Sequence, residues 1–82
     1  MAKSIMIKNL IEYIVKAMVV NSSQVQVKLH ESDDKSHIEI FVAPSDRGRV
    51  IGKEGRAIKA LRNLIEELMP KERKITIDLN QL

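Results

Sequence analysis

Two glycines, Gly52 and Gly55, enclose the charged pair Lys53-Glu54 at a point where two helical patterns meet. Glycine tolerates the left-handed backbone that ends many helices, so one helix can end at Gly52 and another can begin just past Gly55. The loop between them has almost no side-chain bulk at either end. A sugar-phosphate backbone can therefore approach main-chain N–H groups there, near the electropositive start of the second helix.

Positive charge is concentrated around this loop. Between residues 47 and 62 the only acidic residue is Glu54, whereas the basic residues are Arg47, Arg49, Lys53, Arg56, Lys59 and Arg62. The whole chain has a net charge of +3 and a pI near 9.4, so the excess is local. Such clustering is typical of a site for a polyanion. The alternative interpretation is a solvated helix face that happens to be basic.

The run Ile51-Gly52-Lys53-Glu54-Gly55-Arg56-Ala57-Ile58 resembles the signature loop of KH domains, which bind single-stranded RNA or DNA. Nearly the whole chain resembles the small bacterial single-domain KH proteins of the KhpA type. The resemblance implies a loop that clamps about four nucleotides of backbone. It implies RNA contacts from Arg47, Arg49, Ile51, Gly52, Lys53, Glu54, Gly55, Arg56, Ile58 and Lys59.

Different residues of this loop are expected to have different roles. The two glycines provide close approach, and Arg49, Lys53 and Arg56 neutralise phosphate charge. Bases would lie in a groove beside the loop, with an apolar floor formed by Ile51, Ile58 and Ile77. Glu54 departs from the more basic loops of the family. We expect it to weaken binding unless Lys53 or Arg56 neutralises it.

Length and composition predict one domain spanning residues 1–82. The chain has no cysteine, which rules out disulfides and thiolate metal sites. No apolar run approaches the ~20 residues of a membrane span, and the N-terminus lacks a signal-peptide cleavage site. We therefore expect a cytoplasmic protein. With one Tyr and one Phe, the chain cannot build the aromatic platforms of other single-strand binders.

Hydrophobic periodicity predicts the order helix, strand, strand, helix, loop, helix, strand. The helices are expected over residues 3–20, from Ser45 to Gly52, and over 56–69, and the strands over 24–30, 37–43 and 75–79. Ser45 is the expected N-cap of the short second helix, with Asp46 in its first turn. Pro70 ends the third helix.

This order, α-β-β-α-α-β, resembles the type II arrangement of the KH fold and predicts the α+β class. A right-handed two-helix crossover makes the second and third strands parallel, and a hairpin makes the first two antiparallel. The three helices would cover one face of a three-stranded mixed sheet. The other face, carrying His30, Glu39 and Thr76, would be mostly solvated, and Phe41 points to that side.

The third helix has an apolar arc that is wider than one packing face requires. Ala57, Ala60 and Met69 widen the stripe formed by Ile58, Leu61, Leu64, Ile65 and Leu68. Two interpretations stay open. The helix is deeply buried, or it contacts a second copy of the chain through Ala60 and Leu64.

Enzyme and metal functions fit the sequence poorly. The run from Gly48 to Glu54 has three residues between its glycines, not the four of a P-loop, and Glu54 stands where the Mg²⁺-binding hydroxyl would be. His30 and His37 are expected to be neighbours across the hairpin, without a third metal ligand. We therefore predict a non-catalytic protein without cofactor or metal.

The remaining alternative is a protein-interaction module whose glycine loop no longer binds RNA. The wide apolar arc and the outward Phe41 fit that function as well. The resemblance implies self-association as a homodimer, pairing with a larger KH protein of the Jag type, and a joint role as an RNA chaperone or post-transcriptional regulator. It implies no membrane partner.

Overall fold

The computed structural model describes the backbone of residues 2–82 and the side chains from residue 4 onward. The element order is the predicted one. It consists of α1 (Ala2–Met18), β1 (Gln26–Glu31), β2 (Lys35–Val42), α2 (Arg47–Ile51), α3 (Arg56–Leu68) and β3 (Lys74–Gln81). Short 3₁₀ turns lie at Ser22–Gln24, Pro44–Asp46 and Lys53–Gly55. In the described part of the chain, every helix is too short or too polar to cross a bilayer.

The sheet has the order β1-β2-β3, with β2 at its centre. β1 pairs antiparallel with β2, and β3 pairs parallel with β2. The alternation of burial along β2 directs Ile38, Ile40 and Val42 toward the helices. Phe41 lies on the opposite face, as predicted. The α+β class and the type II arrangement of elements are confirmed.

The core lies between the helices and one face of the sheet. Ile11 and Val15 of α1, Ile40 of β2 and Ile65 of α3 are at most 1% exposed, and Val50 of α2 is fully buried. Residues four apart share one face of a helix, so Ile11 and Val15 reach the sheet together, as do Leu61 and Ile65. Val50 fixes the short α2 to the same core and thereby sets the position of the loop that follows it.

The apolar arc of α3 is only partly buried. Leu61 and Ile65 pack in the core, whereas Ala60 is exposed and Leu64 is 40% exposed. The interpretation of a deeply buried helix is therefore wrong. The neighbouring surface of α1 is also apolar and open, with Met6 69% and Leu10 39% exposed.

The start of α2 differs from the sequence prediction. Ser45 does not cap the helix, because a 3₁₀ turn precedes α2 and no side chain caps either element. The carboxylate of the buried Asp46 instead reaches back to the segment after α1. It accepts hydrogen bonds from the main-chain N–H of Val20 (3.1 Å) and from the main chain and side chain of Asn21 (2.9 and 3.0 Å). A buried carboxylate needs hydrogen-bond donors, and here they come from the segment after α1 rather than from α2.

Arg73 joins the β1–β2 hairpin to the start of β3. Its guanidinium donates to the Ser36 hydroxyl (2.6 Å) and to the carbonyl oxygens of Ser32 (2.6 Å), Asp33 (3.1 Å) and Lys35 (3.0 Å). The Glu31 carboxylate lies 3.3 Å away. β2 and β3 begin beside this network, at Lys35 and Lys74, earlier than the hydrophobic alternation predicts.

Candidate nucleic-acid interface

The loop at residues 52–55 (below, the GxxG loop) connects α2 to α3, as predicted. α2 ends where the Gly52 N–H donates to the carbonyl of Gly48 (2.9 Å), and Gly52 has a positive φ of 76°. The Gly55 N–H then donates to the carbonyl of Gly52 (3.1 Å), which closes the loop into one tight turn. α3 begins at the next residue, Arg56. The loop is therefore short and hydrogen-bonded at both ends.

The two glycines of the loop are needed for different reasons. A Cβ on Gly52 would lie 2.7 Å from the Cβ of Ala57 and 2.9 Å from its main-chain nitrogen. Gly52 therefore lets the loop pack against the first turn of α3. A Cβ on Gly55 would meet no atom within 4 Å, although its φ of 73° also favours glycine. The space beside Gly55 is open, and the sequence does not distinguish the two positions.

Glu54 adopts a left-handed backbone conformation that is uncommon for a residue with a side chain. Its φ and ψ are 57° and 26°. This conformation costs about 1–2 kcal/mol relative to ordinary helical backbone. Such strain is concentrated at functional sites, where the surrounding structure maintains it. The sequence gives no sign of it, because the position carries no glycine.

The basic side chains around the loop are exposed to solvent, as are Lys53 and Glu54 themselves. Arg49 lies 3.7 Å from the Asp46 carboxylate and is the only one of these cations that forms an ion pair within residues 4–82. Glu54 forms no ion pair with Lys53 or Arg56 in the same part of the chain. The loop thus displays nearly all of its positive charge to solvent.

The buried carboxylate of Asp46 holds the helix before the loop in position. Burial by itself raises the pKa of the Asp46 carboxyl, but the N–H groups of Asn21 and Val20, the Asn21 amide and the nearby Arg49 outweigh burial. The pKa of Asp46 therefore lies below its ordinary value, and the group is charged at neutral pH. The charged carboxylate fixes the end of α1 to the start of α2, directly before the loop.

The expected apolar floor is present only in part. Ile51 and Ile58 are half-buried beside the loop, and Ile58 packs against the core. Ile77, the third predicted member, is 9% exposed and belongs to the core. It pairs with Ile38 of the central strand, so placing it on an open floor was wrong.

A helix–GxxG–helix unit that packs on one face of a three-stranded sheet, with the element order α-β-β-α-α-β, defines a KH domain of type II. The chain belongs to the KhpA/KhpB family of KH domains, whose family model matches residues 8–80.

Several curated bacterial proteins are similar to this chain over most of its length. The RNA-binding protein KhpA of Halalkalibacterium halodurans is 40% identical over 73 residues, which cover 88% of this chain and 96% of the relative. The protein of the same name from Clostridium acetobutylicum is 42% identical over 67 residues (82% and 89%). That of Thermotoga maritima is 40% identical over 70 residues (85% and 93%).

Proposed function

We propose that this chain is a non-catalytic protein that binds single-stranded RNA through the GxxG loop. The observation that carries the proposal is the open space beside Gly55, in a loop surrounded by exposed cations of which only Arg49 forms an ion pair within residues 4–82. Relatives at about 40% identity over most of the chain are named RNA-binding proteins, which supports the same ligand.

In the proposed mode, a phosphate group approaches the open side of Gly55 and the electropositive start of α3, which attracts anions. The N–H groups of Gly55 and Arg56 themselves donate within the turn, to the carbonyls of Gly52 and Lys53, and hold the loop in this shape. Lys53, Arg56 and Arg49 neutralise adjacent phosphates, with Arg47 and Lys59 at the edges of the site. Bases lie toward Ile51 and Ile58. Phosphate contacts of this kind hold the strand without reading its sequence, and a single module of this size is expected to bind with roughly micromolar affinity at physiological salt.

The test replaces both Lys53 and Glu54 by Asp. Both side chains are exposed, and Asp tolerates left-handed backbone better than most residues, so the fold should persist. We expect retention of single-stranded RNA in a filter assay to fall at least about tenfold, because two negative charges then face the phosphates.

A matched control is available in the same chain. Lys71 and Glu72 are another exposed Lys-Glu pair, in the turn before β3. Changing both to Asp alters the net charge by the same amount and should leave RNA retention nearly unchanged. Equal retention by the loop variant and the unmodified chain would remove the loop from the mechanism.

We further propose that a second copy of this chain covers the exposed apolar surface of α1 and α3, called here the apolar helix face. It consists of Met6, Leu10, Ile14, Met18, Ala57, Ala60 and Leu64. Two depressions of about 440 and 310 Å³ lie on it. Apolar surface of this kind marks interaction sites, and a twofold axis places the same face of a second copy against it.

Leu64→Asp tests this dimer. Leu64 is 40% exposed, so the fold should persist, whereas a charge in the dimer contact should shift the chain to monomers in sedimentation. Ile5→Asp, at a 60% exposed position on another side of α1, is the matched control and should leave the dimer intact. A folded monomer in the unmodified chain, or a dimer that survives Leu64→Asp, would contradict the proposal.

Dimerisation would join two weak RNA modules, and their combined affinity would exceed that of either. That arrangement suits an RNA chaperone or post-transcriptional regulator. The Jag-type KH protein is the alternative occupant of the apolar helix face, and co-sedimentation of the two chains would detect it. If RNA binding fails while this face still associates, the chain is an interaction module whose glycine loop is inactive.

A further inference from the structure

The outer face of the sheet, on the side away from the helices, carries its side chains in rows across the strands. In one row, Lys35 of β2 is paired with Lys74 of β3. In the next, His30 of β1 is opposite His37 of β2, and His37 is beside Thr76 of β3. These two rows border a depression with about 380 Å³ of open volume. That volume lies within the range of small-ligand pockets.

The lysine row places two positively charged side chains at paired positions. Both ammonium side chains are exposed, and neither forms an ion pair with another side chain of residues 4–82. The acidic residue at the rim, Glu31, accepts a hydrogen bond from Ser4 (3.0 Å) and faces Arg73 (3.3 Å). Like charges at paired positions repel each other, so an anion between Lys35 and Lys74 would relieve that repulsion.

The histidine row presents two imidazole rings in fixed orientations. The rings are stacked, with centroids 6.1 Å apart and planes inclined by 28°. His30 Nε2 lies 2.7 Å from the Glu39 carboxylate, and His37 contacts the Thr76 hydroxyl (2.6 Å) and the Asp78 carboxylate (3.2 Å). The side chains of His30 and His37 are still 59% and 37% exposed. Oriented, exposed imidazole rings are surfaces on which nucleic-acid bases stack.

We propose that this depression binds one nucleotide unit, with its phosphate between Lys35 and Lys74 and its base against the His30–His37 pair. The unit is either a free nucleoside monophosphate or one nucleotide of an RNA chain. Lysine ammonium groups bind phosphate as point charges, and the stacked rings supply the planar contact. The site adjoins the start of β2, whereas α2 and the GxxG loop come after the other end of that strand, which spans roughly 20–25 Å.

The chain contains only two histidines, and both line this depression, so their imidazole proton resonances report on it directly. Adenosine monophosphate and inorganic phosphate are titrated separately while these resonances are followed by NMR. We expect saturable shifts with adenosine monophosphate, with a dissociation constant on the order of millimolar or below. Inorganic phosphate should bind at least about tenfold more weakly, because it lacks the stacking contact.

Two single variants separate the phosphate contact from charge in general. Lys74→Ala should weaken binding of adenosine monophosphate about tenfold, because one of the two phosphate contacts is lost. Lys28→Ala is the matched control. Its ammonium lies on the same sheet face, 5.2 Å from the Phe41 ring and outside the depression, so binding should be unchanged.

Three results would overturn the proposal. They are no histidine shift with adenosine monophosphate, equal binding of inorganic phosphate, and equal weakening by Lys28→Ala and Lys74→Ala. A further titration distinguishes RNA from a free mononucleotide as the natural ligand. In it, a short single-stranded RNA is added to the variant with Asp at positions 53 and 54. Histidine shifts there assign the site to RNA, whereas shifts with the mononucleotide alone assign it to free nucleotide. Loss of RNA retention by that loop variant tests only the proposed loop function.

Discussion

At the scale of single residues, the sequence identifies the glycine pair but not the difference between its members. Two glycines three residues apart indicate a tight loop between helices, because both positions favour positive φ. Whether a missing Cβ serves internal packing or an open surface depends on Ala57, which the fold brings against Gly52 only. The sequence also does not predict the strained backbone of Glu54, because the surrounding structure imposes it.

This difference predicts unequal effects of alanine at the two positions. Gly52→Ala should destabilise the fold by about 3 kcal/mol, because it adds a clash with Ala57 to a backbone conformation that favours glycine. Gly55→Ala should cost about 1 kcal/mol, since only backbone strain is added. Denaturant unfolding measures both.

RNA affinity should show the opposite order among folded molecules. Gly55→Ala places a methyl group in the space where the proposed phosphate approaches, whereas the methyl of Gly52→Ala points into the protein. Equal loss of stability at both positions, or unaltered RNA affinity in Gly55→Ala, would contradict this assignment of roles.

At the scale of elements, the spacing of hydrophobic residues predicts the helices and strands. Polar contacts between segments distant in sequence fix how these elements pack together. The alternation over residues 24–30 and 37–43 predicts a hairpin, and the spacing after Arg56 predicts α3. Asp46 and Arg73 were not predicted to tie elements together. Their partners lie in segments distant in sequence, so no local pattern reveals them. The prediction that Ser45 caps α2 was wrong, because it considered only the local sequence. The donors in this region come from the segment after α1, and they bind Asp46.

The link from Asp46 to Asn21 predicts an acid-dependent contribution to stability. The pKa of Asp46 is lower in the folded chain than its ordinary value of 3.8, so folding favours the charged form. This stabilisation is fully present above the unfolded pKa and is lost as pH falls through the folded pKa. Unfolding free energies measured between about pH 6 and pH 2 should therefore decrease more for the unmodified chain than for Asp46→Asn.

Asp46→Asn should also be less stable than the unmodified chain near neutral pH, because an amide cannot satisfy all of these N–H donors. Glu54→Gln removes an exposed carboxylate close by that forms no ion pair within residues 4–82, and it serves as the control. Parallel acid profiles for Asp46→Asn and the unmodified chain would show that this carboxylate does not stabilise the helix junction.

At the scale of the whole molecule, the sequence predicts the α+β class, the order of the elements and one solvent-exposed face of the sheet. The fold agrees with these predictions. It does not decide which apolar residues stay uncovered. Helical spacing alone cannot separate a fully buried helix from a partly exposed one, and Leu64 is 40% exposed in the single chain. The fold thus separates three surfaces, which are the basic loop, the apolar helix face and the outer sheet face.

The most direct test of RNA binding at the loop is an NMR titration of main-chain amide resonances with a short single-stranded RNA. The proposed mode predicts the largest saturable shifts at Gly55 and Arg56, where the open space meets the first turn of α3. Those shifts should disappear in the variant with Asp at positions 53 and 54. Saturable binding that leaves the Gly55 and Arg56 amides unmoved would contradict the proposal that this loop holds the RNA backbone.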